Sequence, residues 1–242
     1  MEKHYKTRAE LKREVKDLYR SNWGMAIKLN LVPTLISVLA IFLIVIFGLF
    51  SLISLSMAPD IMGSADSIFA AFSVFTLLGS ASGGGGLGGF IITLIVTGIL
   101  YTSLDWLRTQ QKPDGALRNA FTVFSGKYFL GTLLTYLLVQ LFTFLWSLLF
   151  IIPGIIKQYA YSQALYVFKD AADAPDQNNI SYFDCITKSR QLMVGHKWRL
   201  FVLQLSFLGW DILASLSFGI GNLWLTPYKN ATYAAFYKDL VD

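Results

Sequence analysis

Charge is absent from two long stretches of this sequence, and that absence limits what the chain can fold into. Between Leu29 and Leu107 there is no Lys or Arg, and the only acids are Asp60, Asp66 and Asp105. Between Tyr128 and Ile156 there is no charged residue of any kind. A domain surrounded by water carries charge along its whole surface, so such gaps fit a chain whose solvent is mostly lipid. Charged residues make up 14% of the chain, against about 25% in ordinary globular proteins.

The basic residues then give the threading. Eight of the twenty Lys and Arg lie in the first 28 residues, and most of the rest cluster beside apolar runs. Charge placed this way sets membrane orientation; it does not describe a nucleic-acid surface, and no nucleic-acid partner is expected. A spanning helix needs about 20 apolar residues. Segments 31–55, 89–107, 128–152 and 200–218 qualify, the last with Asp211 inside it. Two shorter returns, 155–168 and 223–237, follow Pro153-Gly154 and Gly219-Ile220-Gly221. The polar segment before residue 31 is too long for a secretory signal, which has a short basic region and a short apolar one, so the first span reads as an uncleaved anchor. Keeping every basic cluster on the cytoplasmic side predicts an all-α polytopic membrane protein. It has about six crossings in three hairpins, with both termini cytoplasmic. Residues 61–80 stay outside, and the Pro-Gly and Gly-Ile-Gly sequences form tight outer turns. The units are a basic amphipathic segment (1–28), a first hairpin (29–107), a second unit (108–170) and a third (171–242).

The two C-terminal units look alike. Each has an aromatic following Lys (Lys127-Tyr128, Lys197-Trp198), a long apolar run, a Gly-containing break and a Tyr-rich return, and the spacing from Pro153 to Tyr159 equals that from Pro227 to Tyr233. Amphipathic stretches precede the hairpins: Leu11, Val15 and Leu18; Leu117, Ala120, Phe121 and Phe124; and, less regularly, Phe183, Ile186 and Met193. Apolar residues at these intervals share one helix face, which predicts interfacial helices on the cytoplasmic side.

Chemistry-bearing residues are few. Gly83–Gly86 lacks the Lys of a phosphate-binding P-loop and reads as an external linker. Asp211 lies within an apolar run, where an acid is costly and faces a partner, a cavity or water. Lys157 and Lys229 lie on the short returns; the turn positions put Lys157 near the outer side and Lys229 deeper. Either could pair with Asp211 or meet an anionic lipid. Tyr159, Tyr233 and Tyr237 on the same returns suit hydrogen bonding to a ligand or an interfacial belt. With Asp211 and Lys229 they make up the candidate ligand-binding set. The single Cys185 excludes an intrachain disulfide, and His4 and His196 lie in basic surroundings away from any serine they could activate. No catalytic set, metal site or cofactor is expected.

Ser206-Phe207-Leu208-Gly209-Trp210, Gly219-Ile220-Gly221 with Trp224 and Pro227-Tyr228, Ala234-Ala235-Phe236-Tyr237, and Ile152-Pro153-Gly154 with Tyr159, Tyr161 and Asp170 resemble a family of bacterial integral membrane proteins catalogued as domain of unknown function 975. The resemblance implies a multi-pass protein of the bacterial cytoplasmic membrane and supplies no activity or catalytic residues. Asp211 and the glycine run are not part of that pattern. Two functions follow as expectations. The first is a non-enzymatic module that binds membrane lipid or an amphiphilic peptide, or serves another membrane protein as an accessory, immunity or envelope-stress factor. The alternative is a small transporter or channel with Asp211 and Lys229 in a polar pathway.

Overall fold

A computed structural model describes residues 5–57, 86–174, 181–217 and 219–242; they are helical, with no strand among them. The segment 61–80 and the glycine run up to Gly85 lie outside the described residues. In chain order the helices are α1 (Arg8–Tyr19), α2 (Trp23–Met57), α3 (Gly86–Thr109), a short α4 (Ala116–Ala120) with a 3-10 turn Thr122–Phe124, α5 (Phe129–Leu149), α6 (Ile151–Tyr161), α7 (Ala164–Asp173), α8 (Tyr182–Leu192), α9 (Lys197–Leu205), α10 (Leu208–Leu216) and α11 (Asn222–Val241). Among the described residues three stretches are long and apolar enough to cross a membrane: Gly89–Thr109, Phe129–Leu149 and Lys197–Leu216.

The helix at the centre is the least obvious from hydropathy. α11 packs against α1, α2, α3 and α10. Its Ala231, Ala234 and Ala235 are fully buried, and side chains this small let neighbouring backbones approach closely. Because partners surround it, α11 has no single apolar face.

α1 begins with a capping box. The Thr7 side chain accepts from the Glu10 amide, and the Glu10 carboxylate accepts from the Thr7 amide at 2.7 Å. These bonds satisfy donors that a helix start leaves open. Leu11, Val15 and Tyr19, one turn apart, are buried in the main core. Of the expected stripe Leu11, Val15 and Leu18, the first two are thus covered by the protein itself and Leu18 is half-buried against the same core, with Tyr19 completing the buried face. The stripe of α4 and its 3-10 turn behaves differently: Ala120 is buried, while Leu117, Phe121 and Phe124 are exposed.

The second hairpin turns earlier than expected. Phe150 alone is extended (φ −158°, ψ 147°), and α6 starts at the next residue. Pro153-Gly154, expected as the turn, sits in the first turn of α6, where a proline's missing N–H costs nothing. Gly154 serves packing: a Cβ there would lie 2.3 Å from Ser147 Oγ and 2.9 Å from Ser147 Cα. The third hairpin turns where the sequence indicates, with Gly219 at φ +84°. Gly221 is its packing glycine, since a Cβ there would lie 2.9 Å from Ala214 Cα. Both glycines meet the residue seven positions back (154 to 147, 221 to 214). Pro153 and Pro227 are not equivalent, because Pro227 lies inside α11, a turn beyond its start.

α6 and α7 together run back along α5. Gly131 of α5 faces the Phe168 ring, and Tyr128, just before α5, donates to Asp173 at the end of α7. The break between them at Ser162-Gln163 is held by α8. Ser189 Oγ accepts from the Gln163 amide at 3.2 Å and donates to the Ala160 carbonyl at 2.8 Å.

Candidate functional site

The charged side chains converge on one end of the bundle. Asp239, near the end of α11, is 8% exposed; it accepts from the Lys6 amide at 3.1 Å and from Arg199 of α9. Glu14 of α1 takes Lys6 at 2.8 Å and Lys238 of α11 at 3.0 Å. Arg108 grips Asp170 with two bonds, 2.6 and 2.9 Å, and Tyr237 donates to the same carboxylate at 2.7 Å. Buried Lys169 bridges Asp105 and Asp173, and Asp173 also takes Lys127. Burial pushes the Asp173 carboxyl up, but bonds from Lys127, Lys169 and Tyr128 outweigh it and hold it down at about 2. Glu14 is lowered in the same way: burial opposes, and Lys6 and Lys238 prevail. Both described chain ends belong to this layer.

The candidate ligand residues do not share one cavity. Asp211 and Lys229 do meet, with Lys229 Nζ 2.8 and 2.9 Å from the two carboxylate oxygens. Their side chains are 37% and 26% exposed, so the pair sits partly open at the bundle surface. Tyr159 donates to Gln204 of α9 at 2.7 Å and joins two hairpins. Tyr233 packs edge-on against Phe207. Tyr237 is buried, stacked on Tyr166 and tied to Asp170, so it works as a structural post of the ion-pair layer.

Two concave sites involve residues that the sequence reading left out of that set. A groove of about 400 Å³ lies between the start of α2, α10 and the start of α11. Trp23, Trp210, Leu213, Trp224, Leu225 and Tyr228 line it, and it is almost wholly apolar. Drug-sized ligands occupy sites of about 300–1,000 Å³. The signal was present in the sequence as three tryptophans and a tyrosine beside glycine turns, but their convergence needs the fold. A second pocket of about 280 Å³ is lined by Lys157, Thr187, Arg190, Gln191 and Lys197, among others. Lys157, expected near the outer side, is therefore beside Arg190 and Lys197, expected on the cytoplasmic side. Among the described residues no three or more His, Cys, Asp or Glu side chains are grouped to hold a metal.

No curated protein and no solved structure matches the chain. The family model described as "Protein of unknown function (DUF975)" matches it twice, over residues 1–157 and 148–242, which together span its length. The chain belongs to the DUF975 family.

Proposed function

We propose that this is a non-enzymatic membrane protein that holds a lipid acyl chain in the tryptophan-lined groove between α2, α10 and α11. The observation that carries this reading is the groove itself: an apolar concavity rimmed by Trp23, Trp210, Trp224 and Tyr228. It lies beside the exposed apolar residues Leu208, Ile212, Leu216 and Ile220. Tryptophan and tyrosine favour the membrane interface, where one end of the ring is apolar and the other meets water. A lipid whose headgroup stays at the rim fits these requirements.

In this reading the protein is multi-pass. α2 and α3 are its first crossing pair, and the glycine contacts Gly154–Ser147 and Gly221–Ala214 support the idea that the two C-terminal hairpins are copies of one unit. The charged end faces the cytoplasm of a bacterial cell, following the positive-inside rule. A polar pathway through Asp211 and Lys229 has less support, because the pair satisfies itself and the adjoining groove is apolar.

The test fills the groove. Leu213 lines it and is 58% exposed, so Leu213→Trp occupies the space without disturbing the Gly221–Ala214 contact. Native mass spectrometry of protein released from membranes is expected to show retained phospholipid in the wild type and a clear loss in Leu213→Trp. Wild-type protein free of lipid, or equal retention in both, overturns the reading.

A further inference from the structure

The basic pocket between α6, α8 and the start of α9 has a feature that sets it apart from the rest of the charged end. Lys6, Arg108, Lys127, Lys169, Arg199, Lys229 and Lys238 each have a carboxylate partner. Lys157, Arg190 and Lys197 point into one pocket and make no ion pair among the described residues. Three cations gathered in one concavity without an anion repel one another, whereas other cations without an ion pair, such as Arg13, Lys16 and Arg20, stand exposed at the surface. Thr187 and Gln191 add uncharged hydrogen-bonding groups to the same lining.

We propose that this pocket binds a phosphate group, carried by the headgroup of an anionic phospholipid. The immediate surroundings are amphipathic in the required way. Lys157 Nζ sits 4.2 Å above the Trp146 ring, and Trp198, next to Lys197, is 72% exposed, so tryptophans flank the cations as they do at a membrane interface. Ile156 of the pocket lining is exposed, as are Leu148, Leu149, Phe150, Ile152 and Ile155 on the same hairpin, which offer apolar surface to acyl chains. Basic pockets between membrane helices are suited to such headgroups, each Lys or Arg near the surface adding modestly to the attraction.

The experiment uses the full chain in nanodiscs of phosphatidylcholine with and without phosphatidylglycerol, and in detergent with inorganic phosphate. The variant is the triple Lys157→Gln, Arg190→Gln, Lys197→Gln. The control triple, Arg13→Gln, Lys16→Gln, Arg20→Gln, removes the same charge from exposed positions on α1 and at its C-terminal cap. The wild type and control are expected to retain phosphatidylglycerol, and the pocket triple to lose about 100-fold in affinity, a factor of about five per basic residue. Binding of inorganic phosphate in detergent, lost in the same triple, would support the phosphate chemistry with a soluble source. Equal retention by the pocket and control triples, with no phosphate binding, overturns the proposal. Leu213→Trp leaves this pocket untouched, so failure here and failure of the groove reading are separable.

Discussion

α5 and α11 are nearly the same length, 21 and 20 residues, and in composition they are opposites. α5 has no charged residue and is long and apolar enough to span a membrane, yet only its Gly131, Thr132 and Thr135 are buried inside the protein. α11 carries Lys229, Lys238 and Asp239 and does not qualify as a span by hydropathy, yet most of its C-terminal half is buried, Phe236 and Tyr237 included. Hydropathy reports which helix can stand in lipid; it does not report which helix the others are built around. A polar residue in α11 is tolerable because a named partner meets it: Asp211 for Lys229, Glu14 for Lys238, Arg199 for Asp239, and Asn30 for Asn230 at 2.7 Å.

The contrast is broken most directly at Asp239. Replacing it with Ala leaves Arg199 and the Lys6 amide without their shared acceptor at a nearly dry site. Removing one member of a buried pair costs about 3–5 kcal/mol, and Asp239→Ala is expected to approach that in thermal or denaturant unfolding of the detergent-solubilised protein. A loss below about 1 kcal/mol, the range of exposed ion pairs, would mean that α11 is held by apolar packing alone.

The next effect compares the hairpins. Gly154→Ala and Gly221→Ala each drive a methyl group into the partner helix, and overpacking of this kind costs about 1–3 kcal/mol. The two variants are expected to lose similar stability, since each glycine meets its partner seven positions back. If only Gly221→Ala destabilises, the two hairpins are not built alike.

Much of this was legible in the sequence, and the exceptions have physical causes. The charge gaps pointed to helices long and apolar enough to cross a membrane, which the fold contains, and the isolated acid Asp211 called for a partner, Lys157 or Lys229, of which the fold supplies Lys229. The ion-pair layer could not be read. Its partners are far apart along the chain, as with Glu14 and Lys238, and a surface already rich in both signs gives no rule for pairing. The turn at Phe150 was misplaced because Pro-Gly is a turn signal wherever it occurs, yet proline is equally at home in the first turn of a helix. The stripe Leu11, Val15, Leu18 has the periodicity of either a lipid-facing or a protein-facing helix, and only the position of α11 decides between them. The groove failed for a similar reason, because Trp23 is nearly 200 residues from Trp210 and Trp224.

A smaller effect comes from acid. Asp173 is held at about 2 in the folded protein, below about 3.9 for an unfolded aspartate. Its contribution to stability is complete above about pH 4 and is lost as the pH falls toward 2, because the unfolded chain takes up the proton first. The wild type is expected to lose more stability over that interval than Asp173→Asn, which has already given up the contribution. Parallel acid titrations of the two would show that the Lys127–Asp173–Lys169 cluster adds nothing.

The smallest effect is expected on the outward face of α5. Leu141 is 51% exposed, and on the proposed membrane reading truncating it to Ala removes methyl groups whose neighbours are lipid tails and not protein atoms. No cavity forms, because lipid follows the new surface, so the large-to-small penalty of about 2–5 kcal/mol for a protein core does not apply. Leu141→Ala should stay within about 0.5 kcal/mol, the range of ordinary surface changes. A loss of core size would mean that something of fixed shape covers this face of α5, a second copy of the chain or another membrane protein. In that case α5 would be the same kind of helix as α11, with its surrounding partner supplied from outside the chain.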